Sequence, residues 1–492
     1  MLLTTNFGKE CCKLLPQLFI YILGPSHSSW LFSKQMMLYK AATGGNMIST
    51  SLFFAKPETK IVLFNSPIYS ESQDDKEEHL PPLGLGYIAT ELNRAGIPTE
   101  IVDCVYDRLG IAETVEIINN GSFDYVGFNI FSINIEIVKT ILLKLNRKVH
   151  VFLGGKVVEH ICDEVAHWGY HHQITVIIGE GELIFPSLVF NNCTEAPIAT
   201  EGSFSVYRVD VNSAYYPRDL DAITLDRTLF YGREIRNKFG LLESCIIASR
   251  GCIYNCAFCG GALHSNPNIT PRYRSCPNIS NEIKTIIQLS PSTKSIRVLD
   301  DLFLRDRKSI ITACNIFNAF PQLHWRCMAH VQSFITNLDL LAHLKKSGCD
   351  EVFIGIESGS PEMRRKIQKA GSVEDVIMCV ESLLQAGISV KGYFICGFPG
   401  ETAQQIKETI NLALNLKKLE GRSGALFRAS AFQFRPYHGT KLYNEITTNE
   451  QHLIYSNGNE LTSTKKQYNF SSGNYSHVSD AVLARSIHTI IA

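Results

Sequence analysis

Ser249-Arg250-Gly251-Cys252-Ile253-Tyr254-Asn255-Cys256-Ala257-Phe258-Cys259-Gly260-Gly261 sets three cysteines at C-x3-C-x2-C on a loop that directly follows an apolar run at residues 245–249. A short apolar run ending in such a loop reads as a buried strand. Further runs of this kind follow at 295–299, 324–328, 351–356, 389–395 and 426–434, separated by helical patterns at 280–289, 308–317, 338–347, 373–386 and 401–416. Several of these strands end on residues that carry chemistry: Asp300-Asp301, Glu357 and Gly397. Six strands alternating with helices are too few for a closed eight-stranded barrel. They predict an open, partial (β/α)6 TIM-like barrel over 244–443.

Upstream of the cysteines the same alternation occurs in a shorter form. Strand patterns at 61–65, 99–102, 125–131, 149–153 and 174–178 enclose helical patterns at 84–95, 111–119 and 133–145. The turns Gly154-Gly155 and Gly179-Glu180-Gly181-Glu182 close two of the strands. This predicts an α/β, Rossmann-like, doubly wound parallel sheet over 58–190, with ligands beyond the carboxyl ends of its strands. Residues 191–243 lose the period and carry Asn191-Asn192, Pro197 and Pro217, so they are expected to connect the domains. Residues 1–57 read as an N-terminal extension, and 444–492 as a short polar cap closed by a helix at 478–491.

Composition narrows the function classes. A chain of 492 residues has room for two or three α/β domains. Lys+Arg and Asp+Glu are balanced at 47 each, so no global field draws it to nucleic acid or anionic lipid. Its 15 cysteines are scattered, often within apolar segments, unlike a secreted disulfide framework. A reducing, cytoplasmic setting is expected. The apolar stretch 18–23 is too short to span a bilayer, and neither a membrane nor a nucleic-acid partner is expected.

Three thiolates on one short loop can take three corners of a cubane and leave the fourth iron open to an exogenous ligand. Two plainer readings stand beside this: a structural zinc site, and chance burial of small hydrophobic residues. Zinc needs four ligands. His264 completes C-x2-C-x4-H with Cys256 and Cys259, but Ile269 stands where the last cysteine of a zinc knuckle belongs, and Cys276 falls outside that spacing.

The loop resembles the radical S-adenosylmethionine (SAM) superfamily, whose motif is C-x3-C-x-aromatic-C, with Phe258 in the aromatic place; the resemblance runs through roughly 244–442. It implies a [4Fe-4S] cluster on Cys252, Cys256 and Cys259, which cleaves SAM reductively with an electron from an external one-electron reductant. It also implies SAM contacts at Phe258 and Gly260, at Asp301 for the amino group, at Glu357 and Ser358 for the ribose, and at Gly397 beside the adenine.

Residues 60–190 resemble the cobalamin (B12)-binding domain that precedes this barrel in one large subgroup, on Pro81 to Ala89, Gly154-Gly155 and Gly179 to Glu182. The implied cobalamin contacts are Gly84, Leu85, Ser132, Gly154, Gly155, Gly179, Glu180 and Gly181. Two features depart from the pattern. No Asp-x-His-x-x-Gly supplies a lower axial histidine, and Lys156-Val157-Val158-Glu159 stands where proline or small polar residues are usual.

Together the resemblances imply a cobalamin-dependent C-methyltransferase acting on an unactivated carbon of a small molecule, a specialised metabolite. The stretch 468–475 loosely resembles the variable cap of enzymes of specialised metabolism. The competing readings are a cyclase or rearrangement enzyme using the same two cofactors and, from another class, a non-catalytic zinc-bearing binding module. Arg326, His330 and residues 435–440 are further candidates to touch SAM or substrate, with ordinary structural roles as the alternative.

Overall fold

Strand β1 (Ile61–Asn65) is buried throughout, and its side chains alternate between two separate cores. Val62 and Phe64 pack into one core and Ile61 and Leu63 into the other. A strand that is apolar on both faces must lie inside a sheet covered on both sides. The computed structural model describes residues 59–68, 80–266, 271–448 and 474–492. The extension 1–57 and most of the 468–475 stretch lie outside the described residues.

The first sheet continues with β2 (Thr99–Asp103), β3 (Tyr125–Asn129), β4 (His150–Gly154), β5 (Gln173–Gly179), β6 (Ala199–Glu201) and β7 (Phe204–Val209). Its order is β2-β1-β3-β4-β5-β7-β6, parallel except for the β6–β7 pair. Helices α1 (Leu83–Arg94), α2 (Ile111–Asn120), α3 (Ile135–Lys144), α4 (Val158–Ala166) and α5 (Ile184–Val189) flank it. The doubly wound expectation is met, but the 191–243 segment is more than a connection. It supplies β6 and β7, extending the sheet beyond β5. All three residues of β6 are exposed, so no hydrophobic period marks that strand.

Gly179 shows how the strand ends are shaped. It closes β5 at φ +96°, and a Cβ there would lie 2.1 Å from the Val209 carbonyl oxygen. Gly179→Ala is therefore expected to lose about 1–3 kcal/mol from the backbone conformation alone, with the clash in addition. A urea-unfolding midpoint unchanged in this variant would contradict that reading.

The second sheet contains β8 (Ile235–Arg236), β9 (Leu242–Ile246), β12 (Ser295–Val298), β13 (His324–Ala329), β14 (Cys349–Glu357), β15 (Ser389–Cys396) and β16 (Phe427–Gln433), with the hairpin β10 (Ser249–Arg250) and β11 (Arg272–Tyr273) beside it. Six strands, β9 and β12 to β16, run parallel in sequential order, and β8 adds antiparallel to β9. This is the open partial barrel expected.

Its helices are α6 (Cys276–Leu289), α7 (Arg307–Asn318), α8 (Val331–Ile335), α9 (Leu341–Lys346), α10 (Pro361–Lys366), α11 (Val373–Gln385), α12 (Ala403–Lys417), α13 (Lys441–Thr448) and α14 (Asp480–Ile491). Capping boxes start α11 at Ser372 and α12 at Thr402, fixing where the loops after β14 and β15 end. Helix α14 packs on β16 and α12, burying Leu483 and Ile490.

Candidate active site

The cysteine loop is rooted by Asp300. This carboxylate accepts the Ala248 N–H (2.7 Å) and the Ser249 hydroxyl (2.5 Å), joining the start of the loop to the end of β12. Burial pushes its pKa up to about 6 against those hydrogen bonds. Its neighbour Asp301 opens onto solvent within a recess, and a Cβ on Gly261 would lie 3.4 Å from its carboxylate. Of the two acids, one is structural and the other faces the cysteines.

The loop is held from behind. Ala257 donates its N–H to Ile367 (2.9 Å) and accepts from Leu442 (3.0 Å), while Phe258 packs on Phe398 with ring centroids 5.6 Å apart. Cys252 Sγ accepts the Tyr254 N–H (3.5 Å), and Cys259 Sγ accepts the Gly261 N–H (3.3 Å). Such N–H···S bonds favour the thiolate form. Burial opposes it, holding all three thiols above the ordinary range and Cys259 at about 12. A bound metal would supply the positive charge that reverses this balance.

Among the described residues, no three His, Cys, Asp or Glu side chains converge on a position for a single metal ion. His264, the zinc candidate, instead accepts the Lys441 N–H (3.4 Å). The donor set fits a cubane, whose irons lie at separate corners, better than tetrahedral zinc.

The other expected SAM residues divide. Glu357 sits at φ +65° beside a register shift between β14 and β15, and its carboxylate pairs with Lys369 (3.2 Å). The Lys369 ammonium also faces the thiols of Cys252 and Cys256. Ser358 is fully buried, and its hydroxyl is engaged by Thr409 (3.1 Å) and the Ser360 N–H (3.1 Å), so its side chain holds the turn before α10. Gly260 meets no atom where a Cβ would stand, leaving space beside Cys259.

Gly397 donates its N–H to Glu401 Oε2 (2.6 Å), as does Phe398 (3.2 Å), while Glu401 Oε1 has no partner among the described residues. Burial raises the Glu401 pKa from its ordinary 4.5 to about 7. The folded protein therefore holds this proton more tightly than the unfolded chain, and stability falls as pH rises from about 4.5 through about 7. Glu401→Gln keeps the acceptor and removes the titration. Its advantage over the unmodified chain is expected to grow across that window to at most about 3 kcal/mol. Parallel unfolding curves at pH 5 and pH 8 would refute this.

Arg326 is structural, bonded to Glu243 (2.5 and 2.6 Å) and Glu351 (3.1 Å). His330 caps α8 by accepting the Gln332 N–H (3.1 Å), stacks on Tyr254 of the cysteine loop with centroids 4.0 Å apart, and is kept neutral by burial, its pKa lowered to about 3.

A cavity of about 1360 Å³ joins the carboxyl ends of the two sheets. From the first sheet it is lined by Gly84, Leu85, Ser132, Gly155, Gly179, Glu180 and Gly181, and from the barrel by Phe258, Tyr393, Phe432, Arg435 and Tyr437, among others. Gly154 is the last residue of β4 and is not on this wall. Ser132 Oγ lies 3.1 Å from His438 Nδ1, linking the first sheet to the turn after β16.

Sequence reasoning missed the partners of the Gly-Glu-Gly-Glu turn. Arg250 bonds Glu180 and Glu182 (2.7 Å each), and Arg272 also bonds Glu180. The turn thus grips the strand that leads into the cysteines. Glu180 lines the cavity, but its carboxylate serves this clasp.

Residues 246–413 match the family described as the Radical SAM superfamily. The chain is 27% identical over 377 residues to an uncharacterized methyltransferase, PH0819, of Pyrococcus horikoshii, covering 75% of this chain and 79% of that protein. It is 23% identical over 375 residues to the anaerobic magnesium-protoporphyrin IX monomethyl ester cyclase of Rubrivivax gelatinosus, covering 72% of this chain but only 65% of the cyclase. In fold it is similar to the radical S-adenosylmethionine methyltransferase TsrM of Kitasatospora setae, solved with cobalamin and a [4Fe-4S] cluster bound. The TM-score is 0.57 at 18% identity, over 80% of this chain and 78% of that one.

Proposed function

Residues 246–413 are a radical SAM domain, and from that premise we propose that the chain is a cobalamin-dependent methyltransferase acting on an unactivated carbon of a small molecule. Cys252, Cys256 and Cys259 hold the [4Fe-4S] cluster. Phe258, Gly260, Asp301, Glu357 and the Gly397 turn surround SAM, while Gly84, Leu85, Ser132, Gly155, Gly179 and Gly181 form the cobalamin wall. When bound, these groups supply reductive cleavage of SAM and transfer of a methyl group.

The observation that carries the reading is the single cavity. It touches both the glycine-rich strand ends of the first sheet and Phe258 of the cysteine loop, so a substrate inside it is reached from both sides. Positioning of that kind supplies much of the acceleration in a two-centre reaction. The aromatic barrel wall (Phe258, Tyr393, Phe432, Phe434) excludes water from the reacting carbon. A cytoplasmic setting and an external one-electron reductant belong to the same reading. No helix among the described residues is long and apolar enough to cross a membrane.

The test is anaerobic reconstitution with iron, sulfide and hydroxocobalamin. Four irons and one corrin per chain are the expected result. Iron without corrin would sink the cobalamin mechanism, and zinc without sulfide would sink the whole reading in favour of a binding module. Similarity to the cyclase favours a second reading, cyclisation or rearrangement with the same cofactors. SAM labelled in its methyl group separates the two, because only methyl transfer moves the label into product.

A further inference from the structure

The charges on the cavity wall do not balance. Among the described residues that line it, Glu180 and Glu182 are acidic, and Arg250, Arg297, Lys391 and Arg435 are basic. Both acids belong to the first-sheet turn and are bonded to Arg250, with Arg272 also on Glu180. The barrel's side of the wall thus carries cations and, among the described residues, no acid. Two acids of the barrel strands lie off the wall. Glu243 and Glu351 are fully buried and accept Arg326, and Glu351 also takes Lys238 and Arg428.

Two of the wall cations stand deep in the barrel, away from the cysteine loop. Strand register carries Arg297 of β12 through Arg326 and Glu351 to Ser389, two residues before Lys391 on β15. The Arg297 guanidinium carbon lies 4.8 Å from the Phe353 ring centroid, and the Lys391 ammonium 5.3 Å from that of Tyr393; the two rings are 6.3 Å apart. From Lys391 the wall follows one face of β15 through Tyr393 to Ile395, beside Cys396, where the strand ends. Phe398, just beyond, packs on Phe258 of the cysteine loop. Phe432 of β16, with its ring 6.0 Å from Tyr393, widens this apolar surface. The remaining barrel cation, Arg435, follows the end of β16, at the other end of the cavity.

We propose that the substrate bears an anionic oxygen group, carboxylate or phosphate, held by Arg297 and Lys391, with an apolar body lying along Tyr393 and Phe432 toward the cysteine loop. The proposal rests on the radical SAM methyltransferase reading and deepens it by naming the substrate class. Both cations keep contacts within the protein. A guanidinium has five N–H donors and an ammonium three, so a ligand anion is an added partner. The apolar surroundings strengthen such charge-assisted bonds. The anion then anchors one end of the substrate, and the four-residue step from Lys391 to Ile395 sets the reacting carbon roughly 13 Å away.

The experiment is equilibrium dialysis of the reconstituted protein against probes that share one apolar body: 1-pyrenebutyrate, the phosphate monoester of 1-pyrenebutanol, 1-pyrenebutanol itself and 1-pyrenebutylamine. At least one anion is expected to bind about 10-fold or more tighter than the alcohol, with the amine weakest, and the tighter anion names the group. Arg297→Gln and Lys391→Gln should each cut that advantage about 10-fold and leave the alcohol within a few-fold, while Lys391→Arg should retain it. Iron, corrin and melting midpoint establish that each variant is folded and loaded. An alcohol bound as tightly as both anions, or an equal loss of all probes in the variants, overturns the proposal. So does a loss of corrin in the variants with the anion preference intact. Anion selectivity in a protein that takes up iron but no corrin would sink the methyltransferase reading and leave the anion site standing.

Discussion

Replacing Cys252, Cys256 and Cys259 together by alanine is expected to remove all cluster iron and reduce SAM cleavage to background, with the fold retained. The thiols are small, and the loop is pinned by backbone bonds from Ala257 to Ile367 and Leu442 that alanine leaves intact. Each replacement removes a single sulfur atom, and Cys252 and Cys259 are only partly buried, so the cavities created are slight. What is lost is the donor set, since each thiolate is one corner of the cluster. Iron and labile sulfide, visible absorbance and far-UV circular dichroism measured on the same sample check the result. Iron retained by the triple variant would show that the metal sits elsewhere.

Arg250→Met is expected to be among the most damaging single changes outside the cysteines. Arg250 holds Glu180 and Glu182 from the first sheet and stands two residues before Cys252, with its guanidinium 5.2 Å from the Tyr87 ring centroid. Glu182 is 5% exposed in its side chain, and its Oε2 has no partner among the described residues. Removing the cation leaves the buried Glu182 carboxylate uncompensated, at a cost of about 3–5 kcal/mol, while Glu180 keeps Arg272. Cluster occupancy should fall with it, because the strand entering the loop loses its anchor. Adding Glu182→Gln restores the charge balance and should recover part of the loss. Urea unfolding of the single and double variants decides the matter: a single variant within about 1 kcal/mol of the unmodified chain would mean that the clasp is solvated and weak.

The strands and the cysteines were legible because their signals are local. Short segments rich in apolar residues locate β1 to β5 and β12 to β16, and the three thiols lie within eight residues of one another. Short helices such as α8 and α10 escaped because five or six residues carry too little period to register. β6 escaped because it is wholly exposed, whereas β7 buries Phe204, Val206 and Val209 and its short alternation was passed over among the loop residues around it.

The roles within the site were decided by the tertiary structure. Asp300 and Asp301 are chemically identical and adjacent; the family resemblance points to Asp301 for the SAM amino group, but nothing local in the chain says what Asp300 does. The Ala248 N–H and Ser249 hydroxyl, about 50 residues earlier in the chain, make one of them structural. Glu180 reads as a cofactor contact on a glycine turn until Arg250, 70 residues away, and Arg272, 92 residues away, take its carboxylate. Hydrophobic periodicity is written along the chain, because each residue's face follows from its neighbours. The partner of a charge is not, because it depends on which strand ends the packing of two sheets brings together. For this protein the two sheets and the three-cysteine loop could be read along the chain alone. Only the fold decided which acids brace the structure and which are left to meet a ligand.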